Sequence, residues 1–162
     1  MKRMSSMPHT VGQSPEQDTG LASLVMLARL HGLPADPRQL AHQYGVSGKH
    51  FSEREILLAG RALGLRLQAR DSHWERLART PLPCLARHHS GNWFLIAGID
   101  KERALIQDPQ EGRPLALPRK ILEQAWDGRL ILAARRPWRP DTAAPFGFGW
   151  FVPALLKYRH LL

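Results

Sequence analysis

Three features of the chain predict an α+β fold with a helical half packed on an antiparallel sheet. Helix-patterned segments occupy the chain up to Gly64. Beyond it come alternating or short apolar runs separated by turn residues, the texture of consecutive strands. The stretch DTGLASLVMLARLH, residues 18–31, is apolar on nearly every side, which places one helix inside the domain rather than on its surface.

The elements follow in order. Asp18 suits the N-cap of that central helix, and Gly20 a tight turn into it. Gly32 and Pro34 stop it. Asp36 caps a second helix with Pro37 at its first position, running to about Tyr44, and 45–49 is a loop. Ser52 and Glu55 form a capping box for a third helix, with Ile56, Leu57, Ala59, Ala62 and Leu63 as its apolar stripe and Gly64 at its end. Leu65, Leu67 and Ala69 alternate with Arg66, Gln68 and Arg70, as in a half-buried strand. Residues 74–79 read as a short helix. PLPCLARHH, NWFLIAGID and RALIQDP then read as three antiparallel strands joined by the turns HSGN and DKER. Residues 109–113 are a turn and PLALP a short strand. Residues 121–126 are a helix closed by Asp127-Gly128, and RLILAARR is a last strand apolar enough to be central.

The bulk numbers exclude several classes. At 162 residues and 43% apolar content this is one domain with tails. The single cysteine, Cys84, forbids an intramolecular disulfide and fits a reducing compartment. No signal peptide opens the chain, and no run of about 18 apolar residues spans a bilayer. A net charge of +9, carried mostly by Arg, raises nucleic acid or an anionic surface as partners. The basic residues are spread along the chain, without zinc-finger, RNA-binding or heptad signatures, so no nucleic-acid partner is expected. Cys84 with His88 and His89 nearby could suggest a displaced nucleophile or metal ligands. No activating helix N-terminus accompanies Cys84, and the histidines lack ligand spacing, so a small core residue and solvated turn histidines are expected. No phosphate-binding loop is present, and neither metal nor cofactor is expected.

Residues 1–12 read as a flexible N-terminus, 13–137 as the domain and 138–145 as a Pro-rich linker. Residues 146–162 place Phe146, Phe148, Trp150 and Phe151 beside an amphipathic stretch with Lys157, Tyr158, Arg159 and His160, ending at Leu162. That mixture suits a membrane-proximal segment.

The layout is similar to papain-like cysteine peptidases, and more closely resembles the C39 peptidase domains of bacterial ABC exporters. Those carry a Gln, then Asp-Cys-Gly-x-Ala-x-Leu, then a His on a strand and an Asp after the next strand. Gln13 matches the oxyanion Gln, and Asp18, Gly20, Ala22 and Leu24 match the flanks of the Cys. Thr19 stands at the Cys position, Trp93 at the His position, and Asp108 matches the Asp. A hydroxyl without an adjacent base is no nucleophile at neutral pH, and an indole N–H accepts no proton. The pattern therefore resembles the catalytically degenerate C39-like domains of haemolysin-type exporters in type I secretion systems.

That resemblance implies a papain-like fold, no peptidase activity, and a place on the cytoplasmic face of the bacterial inner membrane. It implies as partners an unfolded RTX-type exported protein and the ATPase and transmembrane domains of the same transporter. The segment 146–162 would lead to a first transmembrane helix beyond this chain. Arg87 and Trp93 are expected to stack as a guanidinium over an indole, and Arg87, Trp93 and Trp74 are the candidate cargo-binding residues. The alternatives are a regulatory module that contacts the ATPase domain, or a leader-cleaving peptidase, which Thr19 and Trp93 oppose.

Overall fold

In the computed structural model, residues 17–135 are described. The segment 1–12, Gln13, the linker 138–145 and the segment 146–162 lie outside the described residues. Helix α1 (Thr19–Leu30) begins where Asp18 accepts the N–H of Leu21 at 3.0 Å, and ends before Gly32, whose φ of +71° reverses the chain. Helix α2 (Pro37–Tyr44) starts from Asp36, which accepts the N–H of Arg38 at 2.9 Å, with Pro37 at its first position. Helix α3 (Glu53–Ala62) carries the Ser52–Glu55 capping box.

The strands are β1 (Leu65–Asp71), β2 (Cys84–His88), β3 (Trp93–Ile99), β4 (Arg103–Gln107), β5 (Pro114–Pro118) and β6 (Trp126–Arg135). Helix α4 (Trp74–Leu77) follows β1, and α5 (Arg119–Ala125) follows β5. All strand pairings are antiparallel, in the order β1-β6-β2-β3-β4-β5. β6, the last strand among the described residues, thus lies inside the sheet between β1 and β2, as its apolar run predicts.

Strand alternation sorts the core into two layers. Leu85, Trp93, Leu95 and Ile131 face one side, where they pack with Leu24, Leu27 and Ala28 of α1 and with Ile56 and Ala59 of α3. Cys84, Phe94, Ile96 and Leu130 face the other, with Trp74 and Leu77 of α4 and Leu122 of α5. Leu24, Leu27 and Ala28 are fully buried, in keeping with the central helix read from the sequence. The helical half covers one face of the sheet, and α4 and α5 close the second.

Two local expectations need correction. Asp127-Gly128 does not close a helix: α5 ends at Ala125 with Trp126 as its C-cap, and Trp126, Asp127 and Gly128 belong to β6, where Trp126 pairs with His88 and the register against β2 shifts between Ala86 and His88. Gly128 has φ +95°, and its carbonyl accepts the N–H of Ser72, so the Asp-Gly pair makes an irregularity inside the strand. Gly20 does not turn the chain either. It lies in the first turn of α1, beneath Phe51, where a Cβ would collide with the Phe51 carbonyl oxygen.

Candidate functional site

The tripeptide Asp18-Thr19-Gly20 fastens α1 to two other parts of the fold. One carboxylate oxygen of Asp18 caps α1, and the other accepts the N–H of Phe51, just ahead of α3, at 2.9 Å. Gly20 lets the Phe51 backbone come close. Thr19, 2% exposed, points the opposite way: its Oγ1 accepts the N–H of Trp93 at 3.0 Å and lies 3.5 Å from Oδ1 of Asn92. One turn later, Ser23 Oγ donates to the Trp93 carbonyl at 3.2 Å. Both backbone polar groups of Trp93 are therefore held by hydroxyls of α1. The sequence supplies this through Thr19 and Ser23, spaced i, i+4 on one helix face.

Trp93 itself is 2% exposed, and Arg87 lies over it. The two residues are directly paired across β2 and β3, and the guanidinium carbon is 5.9 Å from the ring centroid, within reach of a cation–π contact. Arg87 Nε also donates to Asp127 Oδ2 at 2.6 Å. The guanidinium is thus fixed between a carboxylate on β6 and an indole on β3.

Of the remaining sequence candidates, Asp108 follows β4 and spends a carboxylate oxygen on the N–H of Gln110 at 2.9 Å. No hydrogen bond or ion pair joins it to Thr19 or Trp93 among the described residues. Trp74 is 6% exposed in the apolar layer on the opposite side of the sheet, with Arg119 5.6 Å above its ring. The structure therefore brings Thr19, Arg87 and Trp93 together and leaves Trp74 and Asp108 apart from them. Cys84 is fully buried, and burial pushes its thiol up to about 12, so it has no thiolate to offer at neutral pH. Among the described residues no group of His, Cys, Asp and Glu could hold a metal ion, and no helix is long and apolar enough to cross a membrane.

An open groove of about 790 Å³ begins at Arg87. Arg54, Leu57, Leu58 and Arg61 of α3 line one wall, and Arg129 and Asp71 stand with Arg87 on the other. Arg129 grips Glu53 through two parallel bonds of 2.8 Å and reaches Asp71 at 3.2 Å. The hydrogen bonds from Arg129 hold the Glu53 carboxyl below the usual glutamate range. Sequence reading missed this groove and its ion pairs. They join residues far apart in the chain, and no local pattern announces them.

Residues 8–137 match the model of the peptidase C39 family. The chain is similar to the cyclolysin secretion/processing ATP-binding protein CyaB of Bordetella pertussis, with 40% identity over 148 residues, covering 90% of this chain and 20% of that protein. It is 31% identical over 144 residues to the alpha-hemolysin translocation ATP-binding protein HlyB of Escherichia coli O157:H7, covering 88% of this chain and 20% of that one. The chain thus spans about a fifth of the length of these relatives. Among solved structures it resembles the N-terminal peptidase C39 like domain of a toxin secretion ATP-binding protein from Vibrio parahaemolyticus. The TM-score there is 0.68 at 21% identity, over 74% of this chain and 98% of that domain, a likeness of fold.

Proposed function

The chain belongs to the peptidase C39 family, and from that premise we propose that it is a non-catalytic cytosolic domain of a type I secretion ABC transporter. In this reading it binds the unfolded RTX-type protein to be exported and holds it near the channel. The observation that carries the loss of catalysis is the bond between Thr19 and Trp93. A cysteine peptidase needs a thiolate at the start of this helix and an imidazole base beside it. Here the hydroxyl at that helix start accepts the Trp93 backbone N–H at 3.0 Å, and the neighbouring ring is an indole, which accepts no proton. Arg87 lies over that indole and leaves it 2% exposed. The catalytic corner of the fold serves instead to hold α1 against β3.

Recruitment is supported by the relatives, whose names describe toxin secretion and translocation, and by a net charge of +9, which draws acidic chains from a distance. ATP hydrolysis would belong to portions of the transporter outside this domain.

The test is to mix the chain with a calcium-free, unfolded RTX segment and follow both binding and the integrity of that segment. The expected result is an affinity that falls as salt is raised, with the segment uncut. Cleavage would restore the peptidase reading. Absence of binding would favour a module that regulates the ATPase domain.

A further inference from the structure

We propose that the groove between α3 and the sheet is the place where an acidic, apolar segment of an unfolded chain docks. This rests on the recruitment reading and gives it a location. The outer face of α3 carries Arg54, Leu58 and Arg61 as one stripe. The seven-residue spacing sets the two arginines about 10 Å apart along the helix. Leu58 stands between them, 46% exposed, beside half-buried Leu57.

The charges around the groove decide its occupant. On the opposite wall, Arg129 is engaged by Glu53 and Asp71, and Arg87 by Asp127. Glu55, the remaining acid of the first turn of α3, is bonded to Ser52. Among the described residues, Arg54 and Arg61 form no salt bridge, and Arg54 has only a long-range attraction to Glu55. The groove thus offers two unspent guanidinium groups on either side of an exposed leucine. A segment with carboxylates flanking an apolar side chain satisfies all three. A single-stranded nucleic acid does not fit, because its bases need an exposed aromatic platform and Trp93 is 2% exposed beneath Arg87.

The test uses the 162-residue chain and a fluorescein-labelled synthetic peptide that alternates aspartate with leucine. Binding is read by anisotropy for the unaltered chain, for Arg54→Glu/Arg61→Glu, for Leu58→Asp, and for Arg38→Glu/Lys49→Glu on and after α2. All the altered residues are exposed, and circular dichroism checks each fold. The two double variants change net charge equally. Docking in the groove weakens binding by about tenfold or more in the α3 double variant and in Leu58→Asp, and by about twofold or less in the α2 control.

Equal losses in both double variants would show attraction by net charge alone and overturn the groove. So would undiminished binding in the α3 variants while the unaltered chain still binds a calcium-free RTX segment, a result that leaves recruitment standing. Failure of the unaltered chain to bind either probe would sink the recruitment reading and the groove with it. If the α3 variants lose binding only to anionic phosphatidylglycerol vesicles, the face meets lipid and the peptide proposal is wrong.

Discussion

Thr19 Oγ1 accepts the backbone N–H of Trp93 at 3.0 Å, and so joins the first residue of the central helix to the first residue of β3. Both groups are buried, and the bond spans 74 positions of sequence. It is a strut between the helical half and the sheet.

Replacing Thr19 by Val keeps the shape and removes the acceptor. The Trp93 N–H is then orphaned in a buried place, which costs about 1–3 kcal/mol. A lowered urea midpoint with an unchanged slope is the expected result. Thr19→Ser, which keeps the oxygen, should recover most of that loss.

Gly20→Ala sets two effects against each other. Alanine gains about 1 kcal/mol of helix propensity over glycine. The new Cβ, however, meets the Phe51 carbonyl oxygen, which is backbone and cannot swing aside. Overpacking of that kind costs about 1–3 kcal/mol, so destabilisation should win in thermal unfolding.

Glu53 sets part of the acid limb of stability. The hydrogen bonds from Arg129 lower its pKa from the ordinary 4.5, so the unfolded chain takes up the proton first. The stabilisation is therefore complete above that value and is lost as pH falls below it through the folded pKa. Both partners keep about a quarter of their side-chain surface in water, which screens the pair and limits its worth. Urea midpoints between about pH 3 and pH 7 should fall less steeply with acid in Glu53→Gln than in the unaltered chain.

Cys84 should resist alkylation in the folded chain and react at once on unfolding. Its thiol is enclosed in the layer beneath α4 and α5, and burial raises its pKa to about 12. Rapid labelling of the native chain by a maleimide would contradict that placement.

The caps and alternations that made the fold legible are local. Asp36-Pro37 and the Ser52–Glu55 box mark helix starts within four residues, and Leu65-Leu67 marks a strand face within three. Asp127-Gly128 misleads because the pair is an ordinary stop signal. Here cross-strand pairing of Trp126 with His88 carries the strand through it. The expected approach of Arg87 to Trp93 came from the family pattern, and register pairing supplies the physical cause. Gly20 carries the signal of a turn in the sequence because its tight neighbour, Phe51, is distant along the chain. Arg129 with Glu53, and Arg87 with Asp127, are ion pairs between remote elements, so the groove they border is visible only once the sheet is assembled.

The most direct measurement is an NMR titration of the isotope-labelled chain with the C-terminal segment of an RTX protein, first without calcium and then with it. A non-catalytic recruiting domain gives shifts confined to the calcium-free, unfolded segment, which stays intact throughout. A segment cut during the titration, or a spectrum unmoved by either form, would contradict it.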